Sequence, residues 1–139
     1  MTRVDFYSNV ANKPALSRQI AHKAWQQGST VLVHSLNDTL LDELDRQWWA
    51  HPASSFLPHA RIHVAHAAQT PIVLGNAIGD LPHCEVLINL SDLIPGFFSR
   101  FDRLIEIVST DDTDKLAARE RWRFYQQRGY ALTNHNMAR

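Results

Sequence analysis

Eight histidines and a single cysteine, Cys84, are the side chains that most readily invite catalytic or metal chemistry in this 139-residue chain. His59, His63 and His66 with Cys84 would make the nitrogen and sulfur set that zinc accepts. Their spacing argues otherwise. If 61–65 is an alternating strand, His63 and His66 face opposite sides, and the adjacent His83 and Cys84 also diverge. The reading is therefore solvated or hydrogen-bonded histidines rather than a convergent ligand shell. Cys84 has no evident base or oxyanion site beside it in the sequence and is expected as a small buried thiol. No serine sits in a G-x-S-x-G elbow. Ser8 to Pro14, after the first expected strand, holds no glycine to approach a pyrophosphate, and Gly75-Asn-Ala-Ile-Gly79 lacks the lysine and hydroxyl of a phosphate loop. The expectation is no catalytic residue, no cofactor and no metal.

Recognition chemistry is better represented. Lys115, Arg119, Trp122 and Arg123 fall at i, i+4, i+7 and i+8, so on a helix they share one stripe about 100° wide. Three cations around an indole suit a short acidic peptide that ends in an apolar side chain, with the guanidinium groups on carboxylates and the indole as a flat wall. The same groups could hold phosphates and stack on bases, but Asp111, Asp112 and Asp114 at the helix start would repel a nucleic-acid backbone. Leu116, Ala117 and Phe124 lie on another side of that helix and are expected to face the core. A second recognition surface is Trp48-Trp49-Ala-His-Pro52 with Phe56 and Pro58, a helix end followed by a stiff proline loop with three large aromatics.

The elements that must position these residues follow from periodicity and punctuation. Val4–Tyr7 reads as a strand, Ser8-Asn9 as a turn, and Pro14 opens a helix that carries Leu16, Ile20, Ala21, Ala24 and Trp25 to a stop at Gly28. Thr30–Val33 is a buried strand, and Asn37 caps a helix from Asp38 to Trp49 with Leu40, Leu41 and Leu44 inward. Residues 52–58 form a proline-bounded loop, after which 61–65, 71–74, 85–90 and 101–108 read as further sheet. Thr110 or Asp111 caps a last helix from about Asp112 to Arg128, ended by Gly129. The order gives an α/β fold: a three-layer, Rossmann-like, mostly parallel sheet flanked by helices, without a phosphate-binding loop.

Composition agrees with one ordinary globular domain over residues 1–139, being 45% hydrophobic and 20% charged. Fourteen Lys+Arg balance fourteen Asp+Glu, which removes the general basic field of a protein that depends on phosphate contacts. The lone cysteine fits a reducing compartment, and Asp5 interrupts what a signal peptide would need to be apolar, so a cytoplasmic protein with no membrane span is expected.

Three strings together resemble a known family. Val4-Asp-Phe-Tyr7, Trp48-Trp49-Ala-His-Pro-Ala-Ser-Ser-Phe-Leu-Pro-His59 and Ala118-Arg-Glu-Arg-Trp-Arg-Phe-Tyr125 occur in the order and spacing of the chi subunits of bacterial DNA polymerase III holoenzyme. The resemblance runs from the first strand to Tyr130, and its most specific part is the tryptophan and proline string. It implies a non-catalytic accessory protein of the clamp-loader assembly, a monomer that forms a heterodimer with the psi subunit. It further implies that Lys115, Arg119, Trp122 and Arg123, with Val108, bind the acidic C-terminal tail of single-stranded-DNA-binding protein. Trp49, Pro52 and Phe56 match the positions associated with psi, and DNA would be contacted only indirectly. Two positions depart from the pattern: Trp122 stands in place of a tyrosine and Arg123 in place of a lysine, exchanges that keep flatness and charge. The competing readings are a direct single-stranded DNA binder, which predicts binding to bare oligonucleotides, and a small nucleotide- or metal-dependent enzyme on the same sheet.

Overall fold

The computed structural model describes residues 1–50, 57–77, 79 and 81–138. Pro52 and Phe56 of the aromatic loop lie outside the described residues, as does most of the 52–58 loop itself. The described strands form one sheet in the order β3-β4-β2-β5-β6-β1-β7. They are β1 (Arg3–Val10), β2 (Val31–His34), β3 (His59–Arg61), β4 (Ile72–Gly75), β5 (Val86–Asn89), β6 (Arg103–Ser109) and β7 (Ala131–Asn136). Every pairing is parallel, so the sheet is entirely rather than mostly parallel. Helices α1 (Lys13–Gln26) and α2 (Asp38–Trp49) cover one face and α3 (Asp112–Gln127) the other, which completes the three-layer α/β arrangement.

Strand alternation divides the core cleanly. Val31, Val33, Ile72, Leu74, Val86, Ile88, Ile105 and Ile107 pack against α1 and α2. Val4, Phe6, Leu32, Val73, Leu87, Leu104 and Val108 point to the opposite side, where Ala118 and Tyr125 of α3 meet them. A central parallel strand is buried on both faces, which is why the sequence shows continuous apolar runs here and not a simple alternation.

The helix termini follow local chemistry. Asn12, Asn37 and Asp111 cap the three helices, each accepting from a backbone N–H three residues on. Gly28 and Gly129 follow the C-termini of α1 and α3 at φ +85° and +81°, a conformation that side chains with a Cβ rarely adopt.

Four expectations are corrected. β1 runs on through Ser8 and Asn9, because Asn9 adopts φ 57° and shifts the register against β6 between Tyr7 and Val10, so the chain bulges there and does not turn. The expected strand at 61–65 is instead β3 at His59–Arg61, followed by turns. β7 was not expected at all: its sequence Ala-Leu-Thr-Asn-His-Asn is polar because it is an edge strand, paired on one side only, to β1. On α3 the buried positions are Ala118, Arg121 and Tyr125, whereas Leu116 is 60% exposed and Ala117 and Phe124 are half-buried, so the expected core face is a flank.

Candidate functional site

α3 carries two arginine environments. Arg121 points into the core at 2% exposure and donates from Nε to Glu106 Oε1 at 3.1 Å, while Glu106 itself is wholly buried on β6. Tyr125 Oη donates to Glu106 Oε2 at 2.7 Å, and Asn89 Nδ2 lies 3.0 and 3.1 Å from the two carboxylate oxygens. Burial pushes the Glu106 carboxyl up, against the pull of Arg121 and these hydrogen bonds. The Tyr125 hydroxyl is held well above its ordinary range, first by burial and then by the neighbouring carboxylate. Arg121 Nη1 also donates to the Asp92 carbonyl at 3.0 Å, so the network ties α3 to the loop after β5.

The outward flank of α3 is different. Phe6, Ser8 and Asn9 of β1, Val108 of β6, Asn134 of β7 and Lys115, Ala118, Arg119 and Trp122 of α3 line one cleft of about 450 Å³. It opens at the carboxyl ends of three parallel strands, where open α/β sheets place their ligand sites. Phe6 and Asn134 are register partners, so their side chains emerge on the same face of the sheet. Trp122 packs edge-on against Phe6, with centroids 5.1 Å apart at 68°, which fixes the indole as one wall. Lys115 and Arg119 have no ion partner among the described residues.

The helix start is acidic, yet its charge is partly compensated. Asp114 Oδ2 accepts from Lys13 Nζ at 3.2 Å and from the Ser109 backbone N–H at 2.7 Å. Burial raises this carboxyl, but those hydrogen bonds and the Lys13 charge outweigh it and hold it below the usual carboxylate range.

Of the residues singled out by spacing and resemblance, the structure gathers Val108, Lys115, Arg119 and Trp122 in this cleft. Arg123 is elsewhere: its Nη1 donates to Glu120 Oε1 at 3.0 Å, and it lines a neighbouring groove with Leu93, Ile94 and Phe124. Sequence reasoning missed the β1 and β7 wall of the cleft, formed by Phe6, Ser8, Asn9 and Asn134. It also missed Arg121. The available signal was Glu106, a charge inside the apolar run Leu104-Ile-Glu-Ile-Val108, which demands a buried counter-charge.

Trp49 ends α2 at 51% exposure, and its indole stacks on His59, centroids 4.3 Å apart at 29°. Trp48, beside it, is 3% exposed and belongs to the core. His63 and His66 are exposed, and Cys84 is exposed rather than buried as expected. Among the described residues no three His, Cys, Asp or Glu side chains converge as a metal cage requires, and no helix is long and apolar enough to cross a membrane.

Comparison with known proteins adds the family. The chain matches the family described as DNA polymerase III chi subunit, HolC, over residues 1–133. It is 37% identical to DNA polymerase III subunit chi of Pseudomonas aeruginosa over 145 aligned residues, covering 100% of this chain and 99% of that one. The subunit chi of Haemophilus influenzae is 31% identical, over 85% of this chain and 83% of its own. That of Escherichia coli K12 is 28% identical, over 82% and 78%. The parallel α/β fold and a match that runs through all its strands and helices agree, and the chain belongs to the DNA polymerase III chi subunit family, accessory proteins of DNA replication.

Proposed function

We propose that this chi subunit is a non-catalytic cytoplasmic adaptor of the clamp-loader complex, which binds the acidic C-terminal tail of single-stranded-DNA-binding protein in the α3 cleft and the psi subunit through the Trp49 surface. The observation that carries the tail assignment is the pair of cations without ion partners among the described residues, Lys115 and Arg119, on the rim of a cleft walled by Phe6, Val108 and Trp122. An unpaired cation needs no existing bridge to break before it binds a carboxylate, and the apolar walls suit a terminal hydrophobic side chain. Arg123, already bound to Glu120, contributes less. On the other surface, the half-exposed indole of Trp49 has the size and flatness of an interface anchor, with Pro52 and Phe56 as its companions in sequence.

Tethering by such contacts works through number. One tail binds weakly because it must be ordered, but several tails on DNA-bound protein raise the effective concentration around one holoenzyme. DNA is then held indirectly, and the chi subunit acts as a monomer or as a heterodimer with psi.

The test is calorimetric titration of a synthetic acidic tail peptide, with and without its terminal apolar residue, into wild type and Arg119→Ala, with a bare oligonucleotide as control. Saturable binding that falls with either truncation is the expected result. Absence of peptide binding, or oligonucleotide binding that Arg119→Ala abolishes, would replace the tail reading with direct binding of single-stranded DNA.

A further inference from the structure

We propose that His59 is the positioning residue for the Trp49 docking face: its buried ring, clamped between the end of α2 and the start of β3, sets the plane in which the exposed indole is presented. The inference rests on the reading of Trp49 as part of the psi surface and adds what holds that surface in place.

His59 is 1% exposed and touches both sides of the break between α2 and β3. Nδ1 lies 2.6 Å from the Leu57 carbonyl, two residues before it. Nε2 lies 3.2 Å from the Asp45 carbonyl and 3.4 Å from Asp45 Oδ1, a buried oxygen with no hydrogen-bond partner among the described residues. The ring is therefore fixed in rotation by contacts at both nitrogens. Trp48 meets it edge-on at 5.4 Å and 78°, on the core side, and Trp49 lies nearly flat against it at 4.3 Å and 29°. A half-exposed tryptophan at a helix end would ordinarily sample several rotamers, and ordering it on binding costs affinity. A flat, immobile ring beneath it removes that cost before the partner arrives.

The strand that carries the ring is itself anchored. β4 presents apolar Ile72 in register with His59, and Arg61, two residues on in β3, is tied to Asp38 and Asp42 of α2, the helix that ends at Trp49.

The experiment is calorimetric titration of psi into wild type, His59→Gln and Trp49→Ala, with the acidic tail peptide as an internal control. His59→Gln is expected to weaken psi binding by about fivefold to tenfold, with the loss in the entropy of binding, because the indole loses its fixed pose. Tail binding, on the far face of the sheet, should not change. If His59→Gln binds psi like wild type while Trp49→Ala loses binding, the positioning role is overturned and the docking face stands. If Trp49→Ala itself binds normally, the docking face falls. Should His59→Gln melt early, Asp45→Ala removes the side-chain contact to Nε2 at a partly exposed position. It is expected to weaken psi binding without lowering the melting temperature, and an unchanged affinity would overturn the proposal.

Discussion

Arg119 and Arg121 stand two residues apart on α3 and do opposite work. Arg121 is buried, its guanidinium held by Glu106 and by the Asp92 carbonyl, with Tyr125 completing the carboxylate's shell. Arg119 is exposed at the cleft rim and has no ion partner among the described residues. Two residues of helix rotate a side chain by about 200°, which is enough to pass from core to solvent. An arginine's role is set by whether its charge is already spoken for. A guanidinium with its carboxylate in place is structure; one without is available to a ligand.

Removing the buried charge should have the largest effect. Arg121→Ala leaves Glu106 ionisable and uncompensated in the core, and breaking such a pair costs about 3–5 kcal/mol, read as a fall in the urea midpoint. A stability change below about 1 kcal/mol would show that the network is not a structural element and would dissolve the contrast between the two arginines. Arg119→Ala should leave stability within about 0.5 kcal/mol of wild type while weakening tail binding by about ten- to a hundredfold, as measured calorimetrically.

Acid sharpens the picture at the start of the same helix. The Asp114 carboxyl is depressed in the folded state, so the stability it supplies is full above the ordinary carboxylate range and is lost as pH falls through its lowered folded value. Asp114→Asn should therefore lower stability at neutral pH and flatten the acid limb of a melting-temperature profile, an effect smaller than that of Arg121→Ala. An unchanged acid limb would mean that Lys13 and Ser109 do not hold this carboxylate in solution. The smallest change is expected from Arg123→Ala, about twofold or less in tail affinity, because its guanidinium is engaged by Glu120 and lies outside the cleft. A loss equal to that of Arg119→Ala would show that the tail crosses to the second groove.

What the sequence disclosed follows from the range of the forces involved. Asn37, Asp111, Gly28 and Gly129 act within one helical turn, so the helix boundaries they set were legible. The basic and aromatic stripe was legible for the same reason, since helical phase is local. β7 was not, because an edge strand buries little and Ala131–Asn136 shows no apolar alternation to read. Nor was the second wall of the cleft: Phe6 and Asn134 come together only through a parallel pairing across most of the chain. The phase of α3 was misread because Leu116 and Phe124 are apolar and Arg121 is charged, and only the partner Glu106 reverses their expected sides. Trp49 was singled out by type, but the His59 ring beneath it is a tertiary contact that residue types alone do not show.

The placement of β1 between β6 and β7 has a consequence for how the molecule is made. β1 leaves the ribosome before the other described strands and finds its neighbours only in the last third of this sequence, with Arg3 opposite Arg103 on one side and Ala131 on the other. At about 5–20 residues per second, roughly 5–20 seconds of synthesis separate Val4 from its first partner. During that interval β1 and its apolar Val4 and Phe6 are exposed, while β2, α2, β4 and β5 can already associate. The α3 cleft, which needs β1, β6, α3 and β7 together, is assembled last, so a nascent chain presents no such cleft.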